Sequence, residues 1–108
     1  MDRAEVINKV KRYSVELSKV LPVEQVILYG SYARNESHGD SDIDVAIILK
    51  KNKQDYFAVN ALIRRVRRTI DNNIEPVIVE KDRDYTGFLQ DIMQHGVVIF
   101  PSQTNVVQ

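Results

Sequence analysis

The 108-residue chain contains no cysteine and no tryptophan, and only four glycines and three prolines. Without cysteine, neither a disulfide framework nor a thiolate metal site can form. Charge of one sign is also missing. Fifteen basic residues balance fifteen acidic ones, for a formal net charge of zero. Bulk attraction to nucleic acid or to a membrane surface therefore cannot be assumed and would have to be local, and direct nucleic-acid binding is not expected. No run approaches the ~18 apolar residues of a membrane span. The first residues, MDRAEVINKVKRYSVEL, are charged and amphipathic and lack the apolar stretch of a signal peptide. These absences point to a soluble cytoplasmic protein with no membrane contact.

What is present is ordinary for a folded domain. The hydrophobic fraction of 44% beside 28% charged residues argues against wholesale disorder. The length suits one core. There is no internal repeat. Residues 1–101 read as a single domain, and the short polar stretch 102–108 as a flexible tail.

Asp2 with Glu5 three positions on resembles a capping box. Val6, Val10, Tyr13, Leu17 and Val20 then follow at helical spacing, and Pro22 ends that helix or lies just beyond it. Gln25 to Tyr29 is a short apolar run suited to a buried strand, broken by Gly30. After a polar loop, Asp42 to Leu49 begins with alternation and ends fully apolar, as a strand entering the core does. Lys50 to Gln54 reads as a polar turn. Val59, Leu62, Ile63, Val66 and Ile70 mark a second amphipathic helix, stopped by Asn72-Asn73. Ile74 to Val79 reads as a strand, with Pro76 marking an edge position or an irregular start. Tyr85, Phe88, Leu89, Ile92 and Met93 mark a third helix, closed by Gly96. Val97 to Phe100 is a last short strand. The order predicts an α/β (α+β) fold, a small mixed sheet of about four strands flanked by three main helices.

Chemistry concentrates in Tyr29-Gly30-Ser31 and Asp42-Ile43-Asp44. In a strand, residues i and i+2 share a face, so Asp42 and Asp44 would lie about 7 Å apart at the backbone. Two unpaired carboxylates there repel each other unless cations sit between them. Mg²⁺ prefers a few carboxylate oxygens plus substrate phosphates. Two such ions can hold the attacking and leaving oxygens of an in-line phosphoryl displacement. Gly30 lets backbone approach a ligand. If Ser31-Tyr32-Ala33-Arg34 begins a short helix, its free N–H groups offer a phosphate site. Ser31 would add a hydrogen bond. Arg34 would pair with a phosphate or anchor the loop to a carboxylate. At average residue usage, Gly-Ser, ten residues, then Asp-x-Asp occurs by chance at roughly one in 50,000 start positions.

The segment GSYARNESHGDSDIDVAII resembles the signature of the DNA polymerase β-type nucleotidyltransferases, in particular the minimal nucleotidyltransferases (MNT). The likeness extends over nearly the whole chain and implies the nucleotidyltransferase fold. By position, it implies that Gly30 and Ser31 bind the triphosphate and that Asp42 and Asp44 bind metal. It makes Glu75 the third carboxylate, as metal ligand or base, where the family usually has aspartate. Glu80 is the nearest alternative, five positions on and on the other strand face. Asn35 stands where the family often has glycine, and asparagine tolerates the left-handed backbone. The resemblance further implies two Mg²⁺ ions, ATP as substrate, and a HEPN toxin ribonuclease as partner. In that role the chain would be an antitoxin that transfers AMP onto a toxin tyrosine, within a homo- or hetero-oligomer. The alternatives are a non-catalytic antitoxin that neutralises by binding, and transfer to a small molecule such as an aminoglycoside.

The remaining features read as structural. Arg64, Arg65 and Arg68 fall on the solvated side of the second helix and Arg67 at its flank, with docking of an acidic partner or RNA as the rival reading. His38 and His95 have no second histidine at ligand spacing and read as loop and helix-end residues. Tyr13, Phe57, Tyr85 and Phe88 read as core or half-core. Tyr29 and Tyr32 flank the site, with packing as the default.

Overall fold

In the computed structural model, residues 1–37, 41–50, 55–81 and 87–102 are described. Three helices and four strands follow the order α1 (Arg3–Ser18), β1 (Val23–Tyr29), β2 (Ile43–Leu49), α2 (Tyr56–Ile70), β3 (Ile74–Val79), α3 (Phe88–His95) and β4 (Val97–Phe100). His38, Tyr85, most of the turn before α2 and residues 103–108 lie outside the described residues.

Helix α1 starts where its cap requires. The Asp2 side chain accepts from the Glu5 N–H at 2.8 Å, satisfying one of the orphan donors of the first turn. Val6, Val10, Tyr13 and Leu17 then fall on one buried face. Val20 does not join them. The helix ends at Ser18, so Val20 sits in the following turn at 49% exposure. The Tyr13 hydroxyl crosses to α2 and donates to the Ile63 carbonyl at 3.0 Å. Burial pushes that hydroxyl's pKa up, against the pull of Arg67 and Arg64.

The sheet order is β3-β2-β1-β4. β1 pairs antiparallel with both β2 and β4, while β2 and β3 run parallel with α2 as their crossover. Alternation divides the strands between two cores. Val26, Leu28, Ile43, Val45, Ile47 and Ile74 pack with α1 and α2 on one face. Ile27, Ala46, Ile48 and Val79 pack with Ile92 of α3 on the other. Both faces are covered, so the central strands are apolar almost throughout. β3 is an edge strand, and there Pro76 removes a donor at little cost.

Two further apolar positions are less buried than their spacing suggests. Phe57 is 84% exposed because it lies in the first turn of α2, just after the Asp55 cap. It stacks edge-on with Tyr56 rather than entering the core. Met93 is 45% exposed, since the short α3 turns mainly Ile92 inward. Arg67, by contrast, is half-buried and donates to the Ile74 carbonyl at 3.3 Å.

Asp71 at the end of α2 accepts from Lys9 Nζ at 2.7 Å and from the Asn73 N–H at 2.8 Å. Burial works against its charged form, but these hydrogen bonds outweigh it and lower its pKa. A depressed carboxyl pKa contributes stability above the unfolded value, about 3.9, and that contribution is lost as pH falls through the folded value. Asp71→Asn should therefore lower the urea midpoint at pH 7. The gap from the unsubstituted protein should close once the pH is well below 3.9. Equal gaps at both pH values would show that the Lys9 pairing contributes nothing.

Candidate active site

The site lies where β1 ends and β2 and β3 begin. Register puts Tyr29 opposite Asp44 and Asp44 opposite Glu75, so one row crosses three strands. The alternation that buries Ile43 on the α1–α2 face turns Asp44 to the α3 face. Glu75 shares that side as its cross-strand neighbour. Asp42 is exposed just ahead of β2, half-buried Asp44 lies within it, and exposed Glu75 is on β3. Glu80 follows the last residue of β3, away from this row.

Gly30 follows Tyr29 with φ +74°. A Cβ built there would sit 2.2 Å from Asp44 Oδ2. A side chain there would push the Asp44 carboxylate aside, and the positive φ strains any residue with a Cβ, so the position favours glycine. Residues 31–35 then make a single turn rather than a helix. Arg34 N–H donates to the Gly30 carbonyl at 3.1 Å and Glu36 N–H to the Ser31 carbonyl at 2.8 Å. The dipole of a helix end is therefore not available to an anion here; loop donors and the Ser31 hydroxyl are. Asn35 closes the turn with φ 59°, the left-handed conformation its side chain tolerates.

Arg34 is exposed and pairs with Glu36 at 3.1 Å, so its carboxylate anchor is a loop neighbour. Tyr32 is 1% exposed and belongs to the core, not to an open binding surface. Its backbone carbonyl accepts from Arg3 Nε at 3.0 Å. Nothing in the local spacing of residues marks Arg3 as a neighbour of this loop. Tyr29 stacks edge-on against Phe88 with centroids 5.3 Å apart, which ties α3 to the row. His95 contacts Asp91 on its own helix, away from the carboxylates.

Electrostatics mark the row as uncompensated. Burial raises the Asp44 pKa first, then Asp42 and Glu75 raise it further, and Arg34 only partly opposes them. Burial, Asp44 and Glu75 likewise raise the Tyr29 pKa, so its hydroxyl stays protonated near neutrality. Among the described residues, no three His, Cys, Asp or Glu side chains converge into a metal cage. The oxygen-only donors and their unrelieved repulsion nevertheless fit a hard cation such as Mg²⁺, which takes one or two carboxylates and completes its shell with water and substrate phosphates.

Residues 8–105 match the family model described as polymerase beta, nucleotidyltransferase. The chain belongs to the polymerase β nucleotidyltransferase family. A Methanocaldococcus jannaschii protein named as a candidate protein adenylyltransferase is 31% identical over 102 residues, covering 88% of this chain and 99% of its own. Among solved structures, a candidate nucleotidyltransferase from Sulfolobus solfataricus superposes with a TM-score of 0.66 at 20% identity, covering 89% of this chain and 80% of that one. A toxin–antitoxin structure with AMP-PNP gives 0.62 at 20% identity, over 86% and 74% of the two chains. The complex of a tri-AMPylated Shewanella oneidensis HEPN toxin with its MNT antitoxin gives 0.59 at 18% identity, over 94% and 74%. These superpositions establish a shared nucleotidyltransferase fold. No described helix is long and apolar enough to cross a membrane.

Two substitutions test this geometry. Gly30→Ala imposes the left-handed cost on a side chain and displaces the Asp44 carboxylate, so it should destabilise by about 1–2 kcal/mol in chemical denaturation. Asp44→Asn should do the opposite, raising Tm at neutral pH in a chelator-treated sample, because it relieves the repulsion. A lower Tm for Asp44→Asn would show that the carboxylate is compensated by contacts within the fold.

Proposed function

We propose that this chain transfers AMP from ATP onto a partner protein, and that the partner is a HEPN-type toxin ribonuclease which the transfer silences. On this reading the chain is an antitoxin acting in a hetero-oligomer, and residues 1–101 form the one domain that carries the activity. The observation that supports it most is the contact between Gly30 and Asp44. It sets a glycine-serine turn against a carboxylate row that the fold leaves unneutralised.

In this reading Gly30, Ser31 and Arg34 receive the triphosphate. The Arg34–Glu36 pair is exposed, and such pairs contribute little, so Arg34 can exchange Glu36 for a phosphate at low cost. Asp42, Asp44 and Glu75 would hold Mg²⁺, which when bound offsets the charge of the triphosphate and of its leaving group. Glu75 is exposed beside Asp44 and takes the proton from the incoming acceptor hydroxyl. The acceptor oxygen forms its bond to the α-phosphorus, and pyrophosphate leaves.

The protein acceptor draws support from two sides. The relative at 31% identity bears a protein-adenylyltransferase name. Two structures of the same fold come from toxin–antitoxin pairs, one with AMP-PNP and one with an AMPylated toxin.

Incubation with α-labelled ATP, Mg²⁺ and a HEPN-type protein should label that protein. The Asp42→Asn, Asp44→Asn double variant should lose at least about a hundredfold in rate. Undiminished neutralisation of the toxin by the double variant would mean that binding, not transfer, protects the cell.

A further inference from the structure

Helix α1 contributes nothing to the carboxylate row, yet it touches both halves of the site. At its start, Arg3 Nε donates to the Tyr32 carbonyl at 3.0 Å across 29 positions of chain. That bond lands in the middle of the Gly30–Asn35 turn. Without it, the turn is held by its own backbone bonds and by the buried Tyr32 ring.

Further along the same helix, Lys9 pairs with Asp71 at 2.7 Å, and both side chains are largely shielded. The other Asp71 oxygen accepts from the Asn73 N–H at 2.8 Å. The Asn73 carbonyl in turn accepts from the Ile43 N–H at 2.9 Å. Ile43 lies between Asp42 and Asp44, and Asn73 lies two residues before Glu75. The chain Lys9–Asp71–Asn73–Ile43 therefore ends on the backbone that aims all three carboxylates.

We propose that α1 is a two-point brace: Arg3 positions the triphosphate loop, and Lys9, through Asp71, positions the carboxylates of β2 and β3. Both are positioning residues for the nucleotidyl transfer proposed above, and the inference rests on that reading. The physical ground is pre-organisation. A turn of six residues and two strand starts must be held against thermal motion before substrate arrives, and hydrogen bonds from charged donors are the stronger kind.

Because the two contacts reach different halves, their loss separates kinetically. Losing Arg3 loosens nucleotide binding in the ground state, whereas losing Lys9 acts chiefly through Asn73 on the aim of Glu75, whose proton acceptance belongs to the transition state. The test uses the full chain with its HEPN partner, and the variants Arg3→Ala, Arg3→Lys, Lys9→Met and Lys9→Arg, with Arg12→Ala as an exposed control on the same helix. Binding of AMP-PNP with Mg²⁺, KM for ATP, kcat and Tm are measured for each.

Arg3→Ala should raise both the AMP-PNP Kd and KM about tenfold with kcat within about twofold, and Arg3→Lys should recover most of the loss. Lys9→Met should lower kcat about tenfold with Kd within about twofold, and Lys9→Arg should restore it. Arg12→Ala should match the unsubstituted chain. Variants that shift Tm alone, or that move Kd and kcat together, overturn the brace. If the unsubstituted chain binds no AMP-PNP and labels no partner, the transfer reading itself fails and takes the brace with it. If the chain binds and transfers while Arg3→Ala binds equally well, only the brace fails.

Discussion

Gly30 and Asp44 compete for one volume. Tyr29 and Asp44 are register partners, so the residue after Tyr29 leaves the sheet beside the Asp44 carboxylate. A Cβ at Gly30 would lie 2.2 Å from Oδ2, and φ is +74°. The chain therefore departs β1 through a left-handed backbone that favours glycine, and Asn35 returns it from the turn through a second left-handed residue. This departure sets the start of the Gly30–Asn35 turn against the Asp44 carboxylate.

The same end of the sheet is where the fold gathers like charges. Parallel pairing of β2 with β3 makes Asp44 and Glu75 neighbours whatever their charge. Burial then adds to the repulsion from Asp42 and Glu75. Elsewhere the two cores are well filled, with Ile27, Leu28, Val45, Ala46, Ile47 and Ile48 at 0% exposure. The apolar middle of the strands thus offsets the unfavourable charges at their ends. A cluster that destabilises its own fold is a feature expected of groups kept for chemistry rather than for packing.

Much of this was legible in the sequence because it is local. Asp2 with Glu5 and the spacing of Val6, Val10, Tyr13 and Leu17 located α1, and Ile74–Val79 was bounded as a strand, with the sheet edge one of two readings of Pro76 that the strand order decides. The spaced Gly-Ser and Asp-x-Asp set pointed to one end of one sheet because each piece sits at a strand terminus. What periodicity missed depends on where an element stops or on distant contacts. Phe57 has an apolar side chain in a first turn that has not yet reached the sheet. Ser31–Arg34 has helical composition, but its hydrogen bonds close only one turn. The Arg3–Tyr32 and Lys9–Asp71 contacts span 29 and 62 positions, and no local pattern encodes them.

The glutamate at position 75 follows from its place at the edge. In a central strand, an extra methylene would have to fit between neighbours on both sides. β3 has β2 on one side only, and Glu75 is exposed. The longer side chain can extend over the open edge while its backbone keeps the register that sets it opposite Asp44. Pro76 next to it withholds a backbone donor, which makes this edge less able to pair with another strand. An edge kept free of a further strand leaves the approach to Glu75 open, as the proton transfer proposed above requires.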